Sequence, residues 1–146
     1  MDLTELYRAV IMDNYKNPKN KGLVKSDDFH FVHLNNPSCG DDMNVEVKIK
    51  DGVIEDIHHD GHGCSISMSS ASVMSETLKG KTVDEALELI HEFYEMVKGE
   101  EPKHEEELGE AIAYMGVRDF PARIKCATLS WKAIEKAILE VQNEKQ

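Results

Sequence analysis

Over positions 2–15 the apolar residues Leu3, Leu6, Val10 and Ile11 recur at helical spacing, and Asn17-Pro18 follows. That spacing predicts an amphipathic helix that stops before the proline. Positions 16–28 are polar and carry Pro18 and Gly22, the composition of a flexible connection. A short strand is expected over 29–34, followed by the turn-formers Asn35-Asn36-Pro37-Ser38-Cys39-Gly40-Asp41. From 43 to 50, Met43, Val45, Val47 and Ile49 alternate with Asn44, Glu46, Lys48 and Lys50, the signature of a half-buried strand. Asp51-Gly52 is a tight-turn pair, so 53–59 returns as the hairpin partner.

Beyond the hairpin the period becomes helical. Gly61-His62-Gly63-Cys64-Ser65 leads into a helix of small residues over 65–79, stopped by Gly80. Thr82-Val83-Asp84-Glu85 is a capping box, with Val83, Ala86, Leu87, Ile90, Phe93 and Val97 as the stripe behind it. Residues 99–110 are acidic and contain Pro102, which predicts a surface excursion. The last helix begins near Pro121, an acceptable first-turn residue, and carries Ile124, Ala127, Trp131, Ile134, Ile138 and Val141 at helical spacing. Strands grouped before helices predict a single α+β domain: a small three-stranded antiparallel sheet with several helices on one face.

The length of 146 residues and a 40% hydrophobic content are enough for one domain with a core of its own. A formal net charge of −11 disfavours a binder of nucleic-acid phosphates or of anionic membranes. No apolar run approaches the roughly 20 residues of a membrane span. The start MDLTELYRAV has acidic residues where a signal peptide carries basic ones, and no apolar core follows, so a cytoplasmic protein is expected.

Cys39, Cys64 and Cys126 are the three cysteines. An odd number of well-separated thiols in a reducing compartment leaves two readings: unrelated buried thiols, or a metal or redox site. Cys39 and Asp41 precede the first hairpin strand, Cys64 follows the second, and a hairpin brings its ends together. Cys126 joins them if the last helix docks its first turns there. Three sulfurs and a carboxylate are the four ligands that tetrahedral zinc takes. The absence of a Cys-x-x-Cys pair excludes a knuckle-type zinc site. Cys64 stands at a helix start, where free N–H groups favour a thiolate. Arg123, three residues before Cys126 on the same helical face, is the natural partner for the excess negative charge, or else an ordinary surface arginine.

The segments Asn36-Pro37-Ser38-Cys39-Gly40-Asp41, Gly61-His62-Gly63-Cys64-Ser65-Ile66-Ser67 and Arg123-Ile124-Lys125-Cys126-Ala127-Thr128-Leu129 resemble the three signatures of the U-type iron–sulfur assembly proteins. The resemblance runs through nearly the whole chain in order. That family comprises IscU-type scaffolds and SufU-type zinc-dependent sulfurtransferases. Lys125 stands where scaffolds carry a histidine before the third cysteine, and an insertion around 99–120 lengthens the segment between the second and third cysteines. Both features, with Arg123, resemble the SufU branch.

The resemblance implies a zinc ion held by Cys39, Asp41, Cys64 and Cys126, with residues 1–146 forming one domain. It implies Cys39 as the acceptor of persulfide sulfur from a SufS-type cysteine desulfurase, and a SufBCD scaffold complex as the recipient. Because zinc occupies the thiolate it keeps deprotonated, a working cycle is expected to release one cysteine from the metal when the donor docks, with Arg123 and Lys125 steadying the site's excess negative charge. An iron–sulfur cluster on the same ligands is the alternative, and neither nucleic acid nor a membrane is expected as a partner.

Other features carry less chemistry. His58 and His59 face opposite sides of a strand, so at most one reaches the cysteines. His62 is the best spare ligand. His30, His33, His91 and His104 lack a motif. Serines 65–75 form no Gly-x-Ser-x-Gly elbow and are expected to allow close helix packing. Met68, Met74, Met96 and Met115 are expected as core filler, and Glu105-Glu106-Glu107 as a solvated face.

Overall fold

The computed structural model describes residues 3–37 and 40–144. Among them the chain order is α1 (Leu3–Lys16), β1 (His30–Asn36), β2 (Asp41–Lys50), β3 (Val53–His62), α2 (Ser65–Leu78), α3 (Val83–Lys98), α4 (Glu105–Leu108), a 3-10 segment (Gly109–Asp119) and α5 (Pro121–Glu144). The expected α+β class holds. The antiparallel sheet has the order β1-β2-β3, with α5 against β1 and β2 and α2 against β3. No helix among the described residues is long and apolar enough to cross a membrane.

The hairpin turn forms because both central residues adopt positive φ, Asp51 at 54° and Gly52 at 76°. That is the primed turn whose twist matches its strands. Alternation then sends Met43, Val45 and Val47 to the helix side, where all three are buried. They meet Ile54 and Ile57 of β3 and Ala127, Trp131, Ile134 and Ile138 of α5 in one core. Phe93 of α3 stacks on Trp131 with ring centroids 4.0 Å apart and planes 6° apart, a pairing that adds about 0.5–1.5 kcal/mol to area burial. The capping box of α3 is complete: Thr82 accepts from the Glu85 amide, and the Glu85 carboxylate accepts from the Thr82 amide.

Helix α2 sends Ala71, Val73, Met74 and Leu78 into the core and presents buried hydroxyls to its other neighbours. Ser70 donates to the Ala127 carbonyl of α5 (2.6 Å) and accepts from the Trp131 indole N–H (2.9 Å). Ser69 pairs with the Tyr114 hydroxyl of the 3-10 segment (2.6 Å), and Ser72 donates to Asn14 of α1 (2.7 Å). Small side chains let three elements approach one helix, as expected of the serines, and the hydrogen bonds satisfy what would otherwise be a costly polar core.

Two expectations are corrected. Residues 99–110 are only partly a surface excursion. Glu105, Glu106 and Glu107 are exposed as expected, but Pro102 and Leu108 are buried, and the chain continues as a 3-10 segment burying Ala111, Tyr114 and Val117. Acidic composition masked this, because the buried positions are few and widely spaced. The apolar stripe of α1 is the second. Leu3 is 65% and Leu6 46% exposed, whereas Asn14 is the buried residue. Helix α1 is tied to α2 by the Ser72–Asn14 bond, and of its stripe only Ile11 packs against the core.

Candidate metal centre

The β2–β3 register pairs Asp42 with His62, so the chain before β2 and the chain after β3 emerge at the same end of the sheet. Asp41 opens β2 there, and Cys64 is the N-cap of α2. Cys126 arrives from α5, in its second turn after Pro121. Ligand atoms of Asp41, Cys64 and Cys126 all lie within 4.8 Å of one another. Asp41 and Cys126 are buried and Cys64 is half-buried. The expected convergence of hairpin ends and last helix is therefore present for these three residues. Cys39, the remaining expected ligand and acceptor, lies outside the described residues.

Hydrogen bonds hold the arrangement. The Cys64 backbone N–H donates to Asp41 Oδ1 at 2.9 Å, so the carboxylate caps the start of α2 in place of the N-cap side chain, which makes no capping bond. A charge-assisted bond of this kind is worth about 1.5–3 kcal/mol and benefits from the helix dipole. Cys64 Sγ is 3.8 Å from Asp41 Oδ2 and 3.8 Å from Ser67 Oγ. Ser67 Oγ donates to the Cys64 carbonyl at 3.2 Å.

Gly63 makes this packing possible: a Cβ there would stand 2.3 Å from Asp41 Oδ1 and 2.8 Å from Ser67 Oγ. Gly61 serves the same end, since its Cβ would fall 2.1 Å from the Asp42 carbonyl oxygen and push the strands apart. Both glycines and Ser67 lie in the second of the three signature segments, but the sequence assigned none of them a contact. The signal for Ser67 was its position three residues after Cys64, one helical turn on.

The donor set fits zinc. Two thiols and a carboxylate suit a borderline-soft, tetrahedral cation, whose neighbouring ligand atoms stand about 3.5–4 Å apart. The Cys64 Sγ to Asp41 Oδ2 distance of 3.8 Å already meets that spacing. A buried carboxylate beside two buried or half-buried thiols gains most from a bound cation.

Arg123 is exposed in the first turn of α5 and lines a groove of about 320 Å³ with Tyr7, Arg8, Ile66 and Phe120. Ser65, next to Cys64, lines the same groove, which therefore opens beside the metal centre. Lys125 is also exposed.

The histidines go elsewhere. His58 pairs with Asp56 (2.9 Å) and His59 donates from Nε2 to the Lys19 carbonyl (2.8 Å). His62 is exposed and borders a separate cleft with Tyr15, Pro18 and Lys21. His30, His33, His91 and His104 pair with Glu140, Asp42, Glu135 and Glu92. Met74 and Met96 are fully buried, while Met68 and Met115 are half-buried at the edge of the core.

The family described as the NifU-like N terminal domain matches residues 6–127. The chain is 49% identical over 137 residues to the zinc-dependent sulfurtransferase SufU of Bacillus subtilis (strain 168), covering 94% of this chain and 92% of that protein. It is 45% identical over 141 residues to the iron–sulfur cluster assembly scaffold protein IscU of Streptococcus pyogenes serotype M1, covering 97% and 87%. Among solved structures, a crystal structure described as that of a hypothetical protein superposes with a TM-score of 0.85 at 46% identity, over 92% of this chain and 98% of the other.

Proposed function

The chain belongs to the NifU-like N-terminal domain family, and from that premise we propose that it is a cytoplasmic zinc-dependent sulfurtransferase of iron–sulfur cluster assembly. In this reading Cys39, Asp41, Cys64 and Cys126 hold zinc. Sulfur arrives from a SufS-type cysteine desulfurase and leaves for a SufBCD scaffold complex. The observation that carries the reading is the meeting of Asp41, Cys64 and Cys126 ligand atoms at one end of the sheet. The likeness to the SufU of Bacillus subtilis supports the branch. Residues 99–120 are read as the insertion of that branch.

Bound zinc keeps its cysteine ligands as thiolates at neutral pH. The Cys39 thiolate attacks the outer sulfur of the desulfurase persulfide. A Cys39–sulfur bond forms, the donor's S–S bond breaks, and the donor cysteine departs as a thiolate with the electron pair. Cys39 then carries the persulfide, and the exchange needs no oxidant. Cys64 is placed to remain an anchor, because its amide is bonded to Asp41 and its sulfur is flanked by Asp41 and Ser67. Arg123 and Lys125, exposed on the first turns of α5, balance the excess negative charge as the donor docks.

The relative named IscU from Streptococcus pyogenes supports a second reading, a scaffold that assembles a cluster on the same ligands. Lys125, in place of a histidine beside Cys126, favours the first. Turnover separates them. With a SufS-type desulfurase and cysteine, the wild-type chain stimulates alanine release and Cys39→Ala does not. Absence of stimulation, with a stable cluster formed from ferrous iron and sulfide, transfers the assignment to the scaffold.

A further inference from the structure

We propose that the groove beside the metal centre seats a segment of the sulfur donor that carries one large apolar side chain flanked by carboxylates. The inference rests on the sulfurtransferase reading above and adds to it the chemistry by which one surface recognises the desulfurase.

The groove lies between α1, the start of α2, the 3-10 segment and the start of α5. Its lining is mainly apolar. Val117 is buried, Ile11 and Ile66 are half-buried, and Met12 and Phe120 are exposed, Phe120 at 64%. Exposed apolar surface gathered in one trough marks a contact site. Ser65 directly follows Cys64, and Arg123 precedes Cys126 by three residues. A segment seated in the groove therefore lies alongside the chain that carries both cysteines, where a sulfur donor has to arrive.

Charge decides what kind of segment fits. The sequence has 28 acidic residues, yet none is among the described lining residues of the groove. Its two charged residues are Arg8 and Arg123, two of the three arginines in the sequence. The third, Arg118, pairs with Glu101 at 3.7 Å, whereas neither groove arginine has a carboxylate partner among the described residues. A guanidinium presents a planar fork of N–H donors that matches a carboxylate. Two such forks beside an apolar trough select an apolar anchor with acidic neighbours and reject a lysine-rich segment. Arginine and aromatic side chains are also the residues that most often carry binding energy at protein interfaces, and Tyr7 and Phe120 supply the aromatic share. The local sign is opposite to that of the whole chain, whose net charge is −11. A donor drawn in by its basic surface can then seat its acidic segment in one orientation.

The test uses the zinc-loaded full chain and its cognate SufS-type desulfurase. By calorimetry, Arg8→Glu is expected to raise the desulfurase Kd about 10–100-fold and Phe120→Ala about 10-fold. Zinc content should match wild type in both, which separates docking from metal loss. In turnover, the concentration of chain that gives half-maximal alanine release should rise by similar factors, with the plateau kept. Lys50→Glu makes the same change of charge beside the hairpin turn, at the other end of β2 from Asp41, and should leave Kd near the wild-type value. A photoreactive side chain at the exposed position 120, Phe120→p-benzoyl-phenylalanine, should cross-link to a desulfurase peptide with Asp or Glu beside an apolar residue.

A cross-link to a lysine-rich peptide, or to none, overturns the chemistry assigned to the segment. Wild-type Kd in both groove variants, with sulfur still taken up by the wild-type chain, overturns the groove as the donor's site and spares the sulfurtransferase reading. Wild-type Kd in both variants with transfer onto a SufBCD complex lost gives the groove to the recipient and overturns the donor as its occupant. A wild-type chain that neither binds the desulfurase nor takes up sulfur overturns both readings.

Discussion

At Gly63 the metal centre has no room for even a methyl group. A Cβ 2.3 Å from the Asp41 carboxylate forces either that side chain or the start of α2 to move. Gly63→Ala should cost about 1–3 kcal/mol of stability, as overpacking does, and should lower zinc content, read together by thermal melting and metal analysis. Full zinc occupancy with an unchanged melting temperature would contradict the packing account. Asp41→Asn separates shape from charge. The amide oxygen can still accept from the Cys64 N–H, so the stripped protein should melt near the wild-type temperature while zinc affinity falls steeply. Equal zinc affinity in the two proteins would remove Asp41 from the ligand set. These residues were unequally legible in the sequence. Asp41 and Cys64 could be placed together because hairpin ends must meet, and Cys126 on the condition that the last helix docks its first turns there. Ser67 and Gly63 could not, because their importance lies in contacts of a few ångströms that spacing does not encode.

Among elements, α2 is the organiser, and its polar bonds make a sharp prediction. Ser70→Ala leaves the Trp131 indole N–H without its acceptor and the Ala127 carbonyl without its side-chain donor. A buried unsatisfied group costs about 1–3 kcal/mol, and each kcal/mol lowers the melting temperature by about 2–4 °C in a chain of this size.

Two histidines give stability an opposing pH dependence. Burial holds His59 below its ordinary value of 6.5, outweighing the bond to the Lys19 carbonyl. The unfolded chain then binds the extra proton, so stability is complete above pH 6.5 and falls as pH drops below it. His104 is raised above 6.5 by its hydrogen bond and charge contact with Glu92. Its contribution is complete below 6.5 and fades as pH rises through the raised value. Melting between pH 5 and 8 should show His59→Gln losing less stability on acidification than wild type, and His104→Gln losing less on alkalinisation. Parallel curves for all three proteins would contradict this.

The hairpin and the capping box were legible as elements because each is signalled by a few local residues. The 3-10 segment Gly109–Asp119 was not: it is set by the burial of Ala111, Tyr114 and Val117 against other elements, which lacks a strong period. The exposure of Leu3 and Leu6 on α1 has a related cause: periodicity finds an apolar face without saying what covers it.

For the whole molecule, the contiguous core from β2 and β3 to α3 and α5 contains none of Asp41, Cys64 and Cys126. Chelation should therefore leave a folded protein with a lower melting temperature, not an unfolded chain. Saturation at 1,000 times Kd corresponds to about 4 kcal/mol of added stability. Loss of the far-UV helical signal on chelation would instead mark a structural zinc module. With a net charge of −11, encounter with a basic surface on the desulfurase should slow as salt rises.

Transfer of sulfur onto one cysteine of a zinc centre is the activity proposed for this chain. Its most direct measurement is mass-spectrometric mapping of added sulfur after anaerobic reaction of the zinc-loaded protein with a SufS-type desulfurase and cysteine. One extra sulfur is expected on Cys39, lost when zinc is removed beforehand. Persulfide on no cysteine, with no stimulation of alanine release, would contradict it.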